Sequence, residues 1–578
     1  MKKSNKSEVG KAIDRVEGHL KVMGKATYAS EFNVPNKVYG QAINSTIAKG
    51  EIISIDVSEA EKQKGVLKII TYKNAEKLKT LEGGLPEITT DSIAPVLQSN
   101  KVNYYGEYVG FVVAETFEQA QHAARLVKFK YKEDKNAIID FKKSKSKAFL
   151  PDKESDYERG SVEKGLLQAD KIVEQTYITP IEHHHPMELH ATIASWDNGG
   201  VLVYASQQIV DDAAISISAT FQIPKKNVRV ISSFVGGGFG SKLNLERHVI
   251  LAVMASKMIG KPVQATVTRT QMFTNTGMRQ KNEQTMKVGA KKDGTLTALY
   301  HDTLSHTSVT QTYQEQCGLV TKMLYNTPNN KVLHRLISMN LQTPFSMRAP
   351  GEATGSFALE SAMDEMAWQL KMDPIEFRIK NDTQKDLLED RPFSSRLLTE
   401  CLRIGADKFG WKNRKEQPRT NQNGNWLIGY GVSAASRNAP YQKTFAKVIL
   451  DLKEDTVKAT IQMDATDIGT GSYTIIAQTA AQYLDIPVEY VNVELGDSDF
   501  PVTPGSGGSW GAASYCNGVR AACESAITNL KNNRNINQDE EVSVADLLRR
   551  NQITTFEAEG MAEPSAEFEK YSIYSFGA

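Results

Sequence analysis

The stretch from Asn227 to Ile259 constrains this chain more than any other. Asn227 to Val235 (NVRVISSFV) is β-branched and apolar enough to form a strand, and Gly236, Gly237, Gly238, Phe239 and Gly240 follow it directly. From Asn244 to Ile259 apolar side chains recur at helical spacing, and Gly260 and Pro262 supply a stop. A strand, a glycine-rich turn and a helix start place bare backbone N–H groups where an anion or an oxo ligand can sit. Glycine serves tight structural turns just as well. On this segment alone both readings stand.

Two nucleotide motifs fail here. The Walker pattern wants Gly-Lys followed by Ser or Thr, whereas Ser241 precedes Lys242 and Leu243 follows it. The dinucleotide fingerprint wants a different glycine spacing inside a βαβ unit.

A chain of 578 residues is long enough for several domains, at about 100–200 residues each. Its 69 basic and 68 acidic side chains balance, so no overall field attracts nucleic acid or an anionic membrane. The cluster Lys142, Lys143, Lys145 and Lys147 reads as a solvated loop. Met1 to Gly10 is basic without an apolar core, unlike a signal peptide, and no apolar run reaches the ~18 residues of a membrane helix. The four cysteines (Cys317, Cys401, Cys516, Cys523) form no C-x-x-C pair or close cluster, so they do not suit zinc, an iron–sulfur centre or a disulfide framework.

Polar seams divide the chain. Residues 1–14 read as a tail and 15–133 as a first domain, with a strand at Val109 to Ala114 and a helix at Thr116 to Leu126. The polar stretch 134–165 is long for a loop and reads as a linker. A second region, 166–411, and a third, 425–578, are separated by another polar segment, and Lys531 to Glu541 interrupts the third. Strands and helices without regular βαβ alternation argue for an α+β fold.

The segment Phe234 to Lys242 resembles the G-G-G-F-G-G-K loop of the xanthine dehydrogenase and aldehyde oxidase family. Other family-like segments follow the same order. They are Arg15 to Tyr28 (RVEGHLKVMGKATY), Pro180 to Glu188 (PIEHHHPME), Met347 to Glu360 (MRAPGEATGSFALE), Asp373 to Asn381 (DPIEFRIKN), Asp467 to Gln478 (DIGTGSYTIIAQ) and Gly505 to Ala521. The resemblance is closest to bacterial aldehyde oxidoreductases. It implies an N-terminal α/β-hammerhead-type domain followed by molybdenum cofactor-binding domains, all within an α+β architecture.

Site residues follow from the same resemblance. The backbone at Phe239 and Gly240 is expected against the apical oxygen of molybdenum, with Gly237 and Gly238 among the cofactor-binding residues, and Gln208, 31 residues before Phe239, is expected to donate a hydrogen bond there. Arg348 resembles the family arginine beside metal and pterin. Gly469, Thr470 and Gly471 resemble a pterin-contacting turn, with Thr470 where glutamine is frequent in the family. Gly507, Gly508 and Ser509 resemble a cofactor-lining turn, and no side chain is expected to bind the metal directly. Leu243, Gln316, Pro350 and Ala434 are expected to line the substrate pocket. His183, His184 and His185 invite a zinc site, but the spacing is wrong and Pro186 would break the helix such a site needs.

The implied cofactor is molybdopterin with molybdenum, in the cytosine dinucleotide form of bacterial members, and the implied reaction hydroxylates a substrate with water-derived oxygen. Electrons would leave through a 2Fe–2S subunit and an FAD subunit. Purine-oxidising members carry a glutamate where Leu243 stands and phenylalanines where Pro350 and Ala434 stand. A purine's polar edges would meet apolar surface here, which favours aldehydes. An N-heterocycle hydroxylase is the alternative. The family's catalytic glutamate lies in a C-terminal K-G-x-G-E motif that these residues do not contain. The chain is therefore expected to be truncated or split, with a separate polypeptide supplying that part, or else to be an inactive cofactor-binding fragment. The cytoplasm is the expected location, or the periplasm if a partner carries an export signal.

Overall fold

The computed structural model describes residues 7–79, 96–151 and 156–578. Its framework is three mixed sheets, each with helices packed against it, joined by antiparallel and parallel pairings alike. That is the α+β architecture expected.

The largest sheet has seven strands, in the order Val228–Ile231, Gly200–Ala205, Ala191–Asp197, Val263–Thr266, Val38–Asn44, Tyr108–Ala114 and Val66–Thr71. Val38–Asn44 pairs in parallel with Val263–Thr266, so one sheet runs through the first domain and into the second region. Tyr108–Ala114 is buried along its whole length, as its unbroken apolar run requires. The following helix, Phe117–Leu126, starts with a capping box between Thr116 and Gln119. Helices Val210–Phe221 and Arg247–Ile259 bury their apolar residues in the core of the large sheet.

A five-stranded sheet carries the long helix Glu352–Leu370, and a four-stranded sheet carries Ser472–Leu484 and Gly511–Asn532. Part of the segment expected as a linker is structural. Tyr157–Arg159 pairs antiparallel with Asn330–Met339, and Ser161 caps the helix Val162–Leu167. The polarity read as solvation there reflects an edge strand, whose outer groups face water. Among the described lysines of the 142–147 cluster, Lys145 is paired with Glu283 at 2.5 Å rather than merely solvated.

The first described residues do not stay with the first domain. They cross to the four-stranded unit, where Gln478 Nε2 donates to the carbonyls of Glu8 and Lys11 at 2.9 and 3.0 Å. Thr474 Oγ1 donates to Glu17 at 3.0 Å, and Arg15 donates to the Gly469 carbonyl at 2.8 Å. This strap ties residues 8–17 to the helix Ser472–Leu484 and the Gly469–Gly471 turn before it.

Candidate functional site

Three loops converge on Gln208, which sits between the strand Gly200–Ala205 and the helix Val210–Phe221. Its amide donates to the Lys242 carbonyl at 2.7 Å. Its carbonyl accepts from the Ser506 amide at 3.0 Å and from Thr466 Oγ1 at 2.8 Å. In the side chain, Oε1 accepts from the Gly240 amide at 3.0 Å and Nε2 donates to the Ser506 carbonyl at 2.6 Å. A carboxamide has two N–H donors, so one remains for a ligand while the other fixes the orientation.

Each glycine of the loop has a steric reason. A Cβ on Gly236 would collide with Glu188, one on Gly238 with Gln208, and one on Gly240 with the Ser346 carbonyl. Gly237 and Gly240 also have φ of +90° and +108°, and Phe239 adopts φ of 58°. Among the described residues the amides of Gly237, Gly238 and Phe239 have no protein acceptor. The helix expected from Asn244 starts later, at Arg247, with Glu246 at its N-cap. Gln207 Nε2 holds the Leu243 and Asn244 carbonyls at 2.8 and 3.3 Å and keeps that stretch out of the helix. The loop therefore offers turn amides, not a helix terminus.

The Met347–Gly351 segment packs directly on this loop, with the Arg348 amide donating to the Phe239 carbonyl at 2.9 Å. Behind it, Arg279 donates to the carbonyls of Met347 and Arg348 at 2.9 and 2.7 Å, and pairs with Glu182 at 3.0 Å and Glu315 at 3.2 Å. Glu315 in turn accepts from the Gly351 amide at 2.9 Å. The Arg348 guanidinium itself is exposed and has no protein acceptor among the described residues. His184 is buried, which pushes its pKa down to about 4, and its Nε2 lies 2.9 Å from the Ser346 carbonyl. A neutral ring facing a carbonyl must carry its proton on that nitrogen. His183 and His185 pack against Phe273 at 4.9 and 4.3 Å between ring centres, and no group able to hold a metal ion occurs among the described residues.

In the Gly469–Gly471 turn, Asp467 Oδ1 already accepts from the amides of Gly469 and Gly471 at 2.6 and 3.4 Å. Only the Thr470 amide is left for a ligand, so that turn presents less backbone than its glycines suggest. The Gly507–Ser509 turn is shaped by Trp510, whose ring leaves no room for a Cβ on Gly508. Ser509, at φ of 64°, accepts from Arg437 Nε at 3.0 Å, and Arg437 pairs with the buried Glu352 at 2.5 Å.

Leu243 lies against Gly507, and Gln316 and Pro350 reach solvent beside the Gly351 turn. Ala434 departs from expectation. It is 1% exposed, packed in the core under the five-stranded sheet, with its amide bound to Glu360 at 2.7 Å. Its side chain does not line an open pocket, because that core encloses it; three residues on, Arg437 is the one that reaches the Ser509 turn. Sequence reasoning also missed Glu352, Arg437, Arg279 and Glu315. Glu352 follows the R-A-P-G run directly, a usable signal; the other three stand outside any glycine motif. A separate cavity of about 450 Å³ lies behind the loop, lined by Glu17, Phe234, Tyr473 and Glu494, and is distinct from the junction at Gln208.

The junction fits a large oxygen-rich, anionic cofactor. It offers unpartnered loop amides, a clamped carboxamide with one spare donor, an unpaired arginine, and glycines where backbones pass too closely for side chains.

Comparison with known proteins decides the family. Residues 23–135 match the aldehyde oxidase and xanthine dehydrogenase a/b hammerhead domain, and residues 142–382 and 405–573 each match a molybdopterin cofactor-binding domain. The aldehyde oxidoreductase molybdenum-binding subunit PaoC of Escherichia coli K12 is 41% identical over 520 residues, covering 89% of this chain and 69% of that one. The chain belongs to the aldehyde oxidase and xanthine dehydrogenase family. Within that family, the xanthine dehydrogenase molybdenum-binding subunit of Escherichia coli O157:H7 is 29% identical, over 85% of this chain and 68% of its own. The fold is shared with CO dehydrogenase from Oligotropha carboxidovorans, at a TM-score of 0.82 and 20% identity over 98% of this chain and 79% of that one. Aldehyde oxidoreductase from Desulfovibrio gigas aligns at a TM-score of 0.81 and 20% identity, covering 97% and 65%. A family member of this kind binds molybdopterin through the two matched domains.

Proposed function

We propose that this chain is the molybdenum cofactor-binding subunit of an oxidoreductase that converts aldehydes to carboxylic acids with water-derived oxygen. The observation that carries this reading is the convergence of the three glycine-containing loops on Gln208. Support for aldehydes comes from Leu243 and Pro350, which offer a purine no hydrogen-bonding partner, and from the 41% identity to an aldehyde oxidoreductase subunit.

When bound, the cofactor supplies the two-electron redox chemistry and activates the water-derived oxygen. The chain's own residues bind and orient it. Gln208 offers its second amide hydrogen and the Gly237–Phe239 amides offer donors to the cofactor's oxygen atoms. Arg348 supplies positive charge to anionic oxygens, and the small turns at 469–471 and 507–509 let backbone come close. Leu243, Gln316 and Pro350 shape the approach of the substrate. No K-G-x-G-E motif occurs in these 578 residues, so the proposal assigns the proton-accepting carboxylate to none of them. It includes partner subunits with 2Fe–2S and FAD, since the four cysteines of this chain are dispersed. The pterin form is taken to be the cytosine dinucleotide, as the bacterial resemblance implies.

The test is metal and nucleotide analysis of the protein purified with co-expressed partners, followed by an aldehyde panel and purines with a dye acceptor. Molybdenum, released cytidine monophosphate and turnover of aldehydes over purines are expected. Protein without molybdenum, or one that oxidises xanthine but no aldehyde, would overturn the reading.

A further inference from the structure

The glycine loop is closed at its base by one side chain. Glu188 Oε2 accepts from the amide of Gly236, the loop's first glycine, at 2.8 Å. The same oxygen accepts from Lys242 Nζ, at the loop's last residue, at 2.7 Å. The Glu188 backbone completes the join, its amide donating to the Gly236 carbonyl at 3.0 Å and its carbonyl accepting from Lys242 Nζ at 3.2 Å. The Lys242 side chain is wholly buried and that of Glu188 is 11% exposed.

This pair is costly to keep. Burial lowers the Lys242 pKa, with Glu188 opposing that effect, and the second Glu188 oxygen is buried without a partner. Burial first, and Lys242 second, lower the pKa values of the adjacent imidazoles of His190 and His248. A buried ion pair contributes little net stability compared with apolar residues of similar size. Its location suggests another use. The pair joins the two ends of a loop whose middle, Gly237 to Phe239, carries the unpartnered amides. With both ends fixed to one carboxylate, those amides and the Gly240–Gln208 contact have a defined position before any ligand arrives.

We infer that Glu188 and Lys242 are positioning residues that staple the glycine loop into its cofactor-receiving conformation, rather than groups that only stabilise the fold. The inference rests on the molybdenum-cofactor reading above. Groups that orient a metal site without touching it typically change affinity or activity by roughly 10–100-fold when removed.

The experiment compares wild type, the double variant Glu188→Leu/Lys242→Met and the single variant Glu188→Asp, each purified with partners. Molybdenum per chain, the Mo(V) electron paramagnetic resonance signal and the thermal midpoint are measured. Replacing both charges by apolar side chains removes the staple without stranding a charge, so the midpoint should fall only by what the Gly236 amide and the Glu188 carbonyl lose, and the protein should stay folded. Molybdenum content should nevertheless fall by roughly tenfold, or the Mo(V) signal of the loaded fraction should shift. Glu188→Asp keeps the charge but shortens the reach, and should perturb the Mo(V) signal while the protein stays folded. It serves as the deciding variant if the double variant does not fold. Normal loading with an unchanged Mo(V) signal in the double variant, or in Glu188→Asp where the double variant does not fold, overturns the inference. Absence of molybdenum from the wild type overturns the cofactor reading instead, so the two failures are distinguishable.

Discussion

Gln208 Oε1 accepts from the Gly240 amide at 3.0 Å while its Nε2 donates to the Ser506 carbonyl at 2.6 Å, so one side chain spans two loops. Gln208→Ala leaves that amide and that carbonyl without partners in a buried setting, at a cost of about 1–3 kcal/mol for each stranded group. Gln208→Glu keeps an acceptor for Gly240 but places a carboxylate against the Ser506 carbonyl. Both variants lose the spare donor and should bind less molybdenum, with Gln208→Glu the more severe because it also sets a negative charge against the Ser506 carbonyl and an anionic cofactor. Metal analysis and urea unfolding of the two variants check this order.

Two glycines with positive φ should respond differently to alanine. At Gly240 (φ +108°) a Cβ would enter the Ser346 carbonyl, and that backbone cannot yield without moving Arg348. At Gly469 (φ +98°) nothing lies within 4 Å of the added carbon. Gly469→Ala should cost about 1–3 kcal/mol, from backbone strain alone. Gly240→Ala adds overpacking of a further ~1–3 kcal/mol and should lose cofactor. Parallel denaturant titrations separate the two.

These contrasts also mark what was legible beforehand. The strand before the loop could be read in part, since local periodicity carries it, but it ends at Ile231 rather than Val235; Gln208 was singled out through the family resemblance alone. Ala434 could not be placed, because its burial depends on Glu360 from the long helix far earlier in the chain. Arg279, Glu315 and Arg437 were invisible for the same reason: the backbone that Arg279 and Glu315 hold, and the Ser509 and Glu352 side chains that Arg437 holds, are brought close only by tertiary folding. The late start of the helix at Arg247 was missed because Gln207 competes for the carbonyls of Leu243 and Asn244, and no propensity scale contains that side chain.

Arg279 should prove less replaceable than its partner Glu182. The Glu182 side chain is 45% exposed, whereas that of Glu315 is 1% exposed. Glu182→Gln is therefore expected to cost no more than about 1 kcal/mol, as for a solvent-screened pair. Arg279→Met strands the Glu315 carboxylate and frees the Met347 and Arg348 carbonyls, at about 3–5 kcal/mol. Arg279→Lys should recover only part, because an ammonium lacks the planar fork that serves two carboxylates and two carbonyls. The comparison is made by thermal unfolding at constant pH.

Glu246 gives a pH dependence with a definite sign. It is buried at the N-cap of Arg247–Ile259 with one carboxylate oxygen unpartnered, and burial pushes its pKa up to about 8 against the nearby Arg247, which pulls it down. A carboxyl group raised in the folded state is neutral there at pH values where the unfolded chain has already ionised. Its contribution to stability is thus fully present below the unfolded value, near 4.5, and declines as pH rises toward about 8. Above that both states are ionised and the loss is complete. Glu246→Gln, which cannot ionise, should match wild type near pH 4.5 and gain relative to it steadily up to pH 8. Thermal midpoints of the two proteins across that range test the sign. A difference that stays flat with pH would mean that Glu246 is solvated in the folded protein and ionises at its ordinary value.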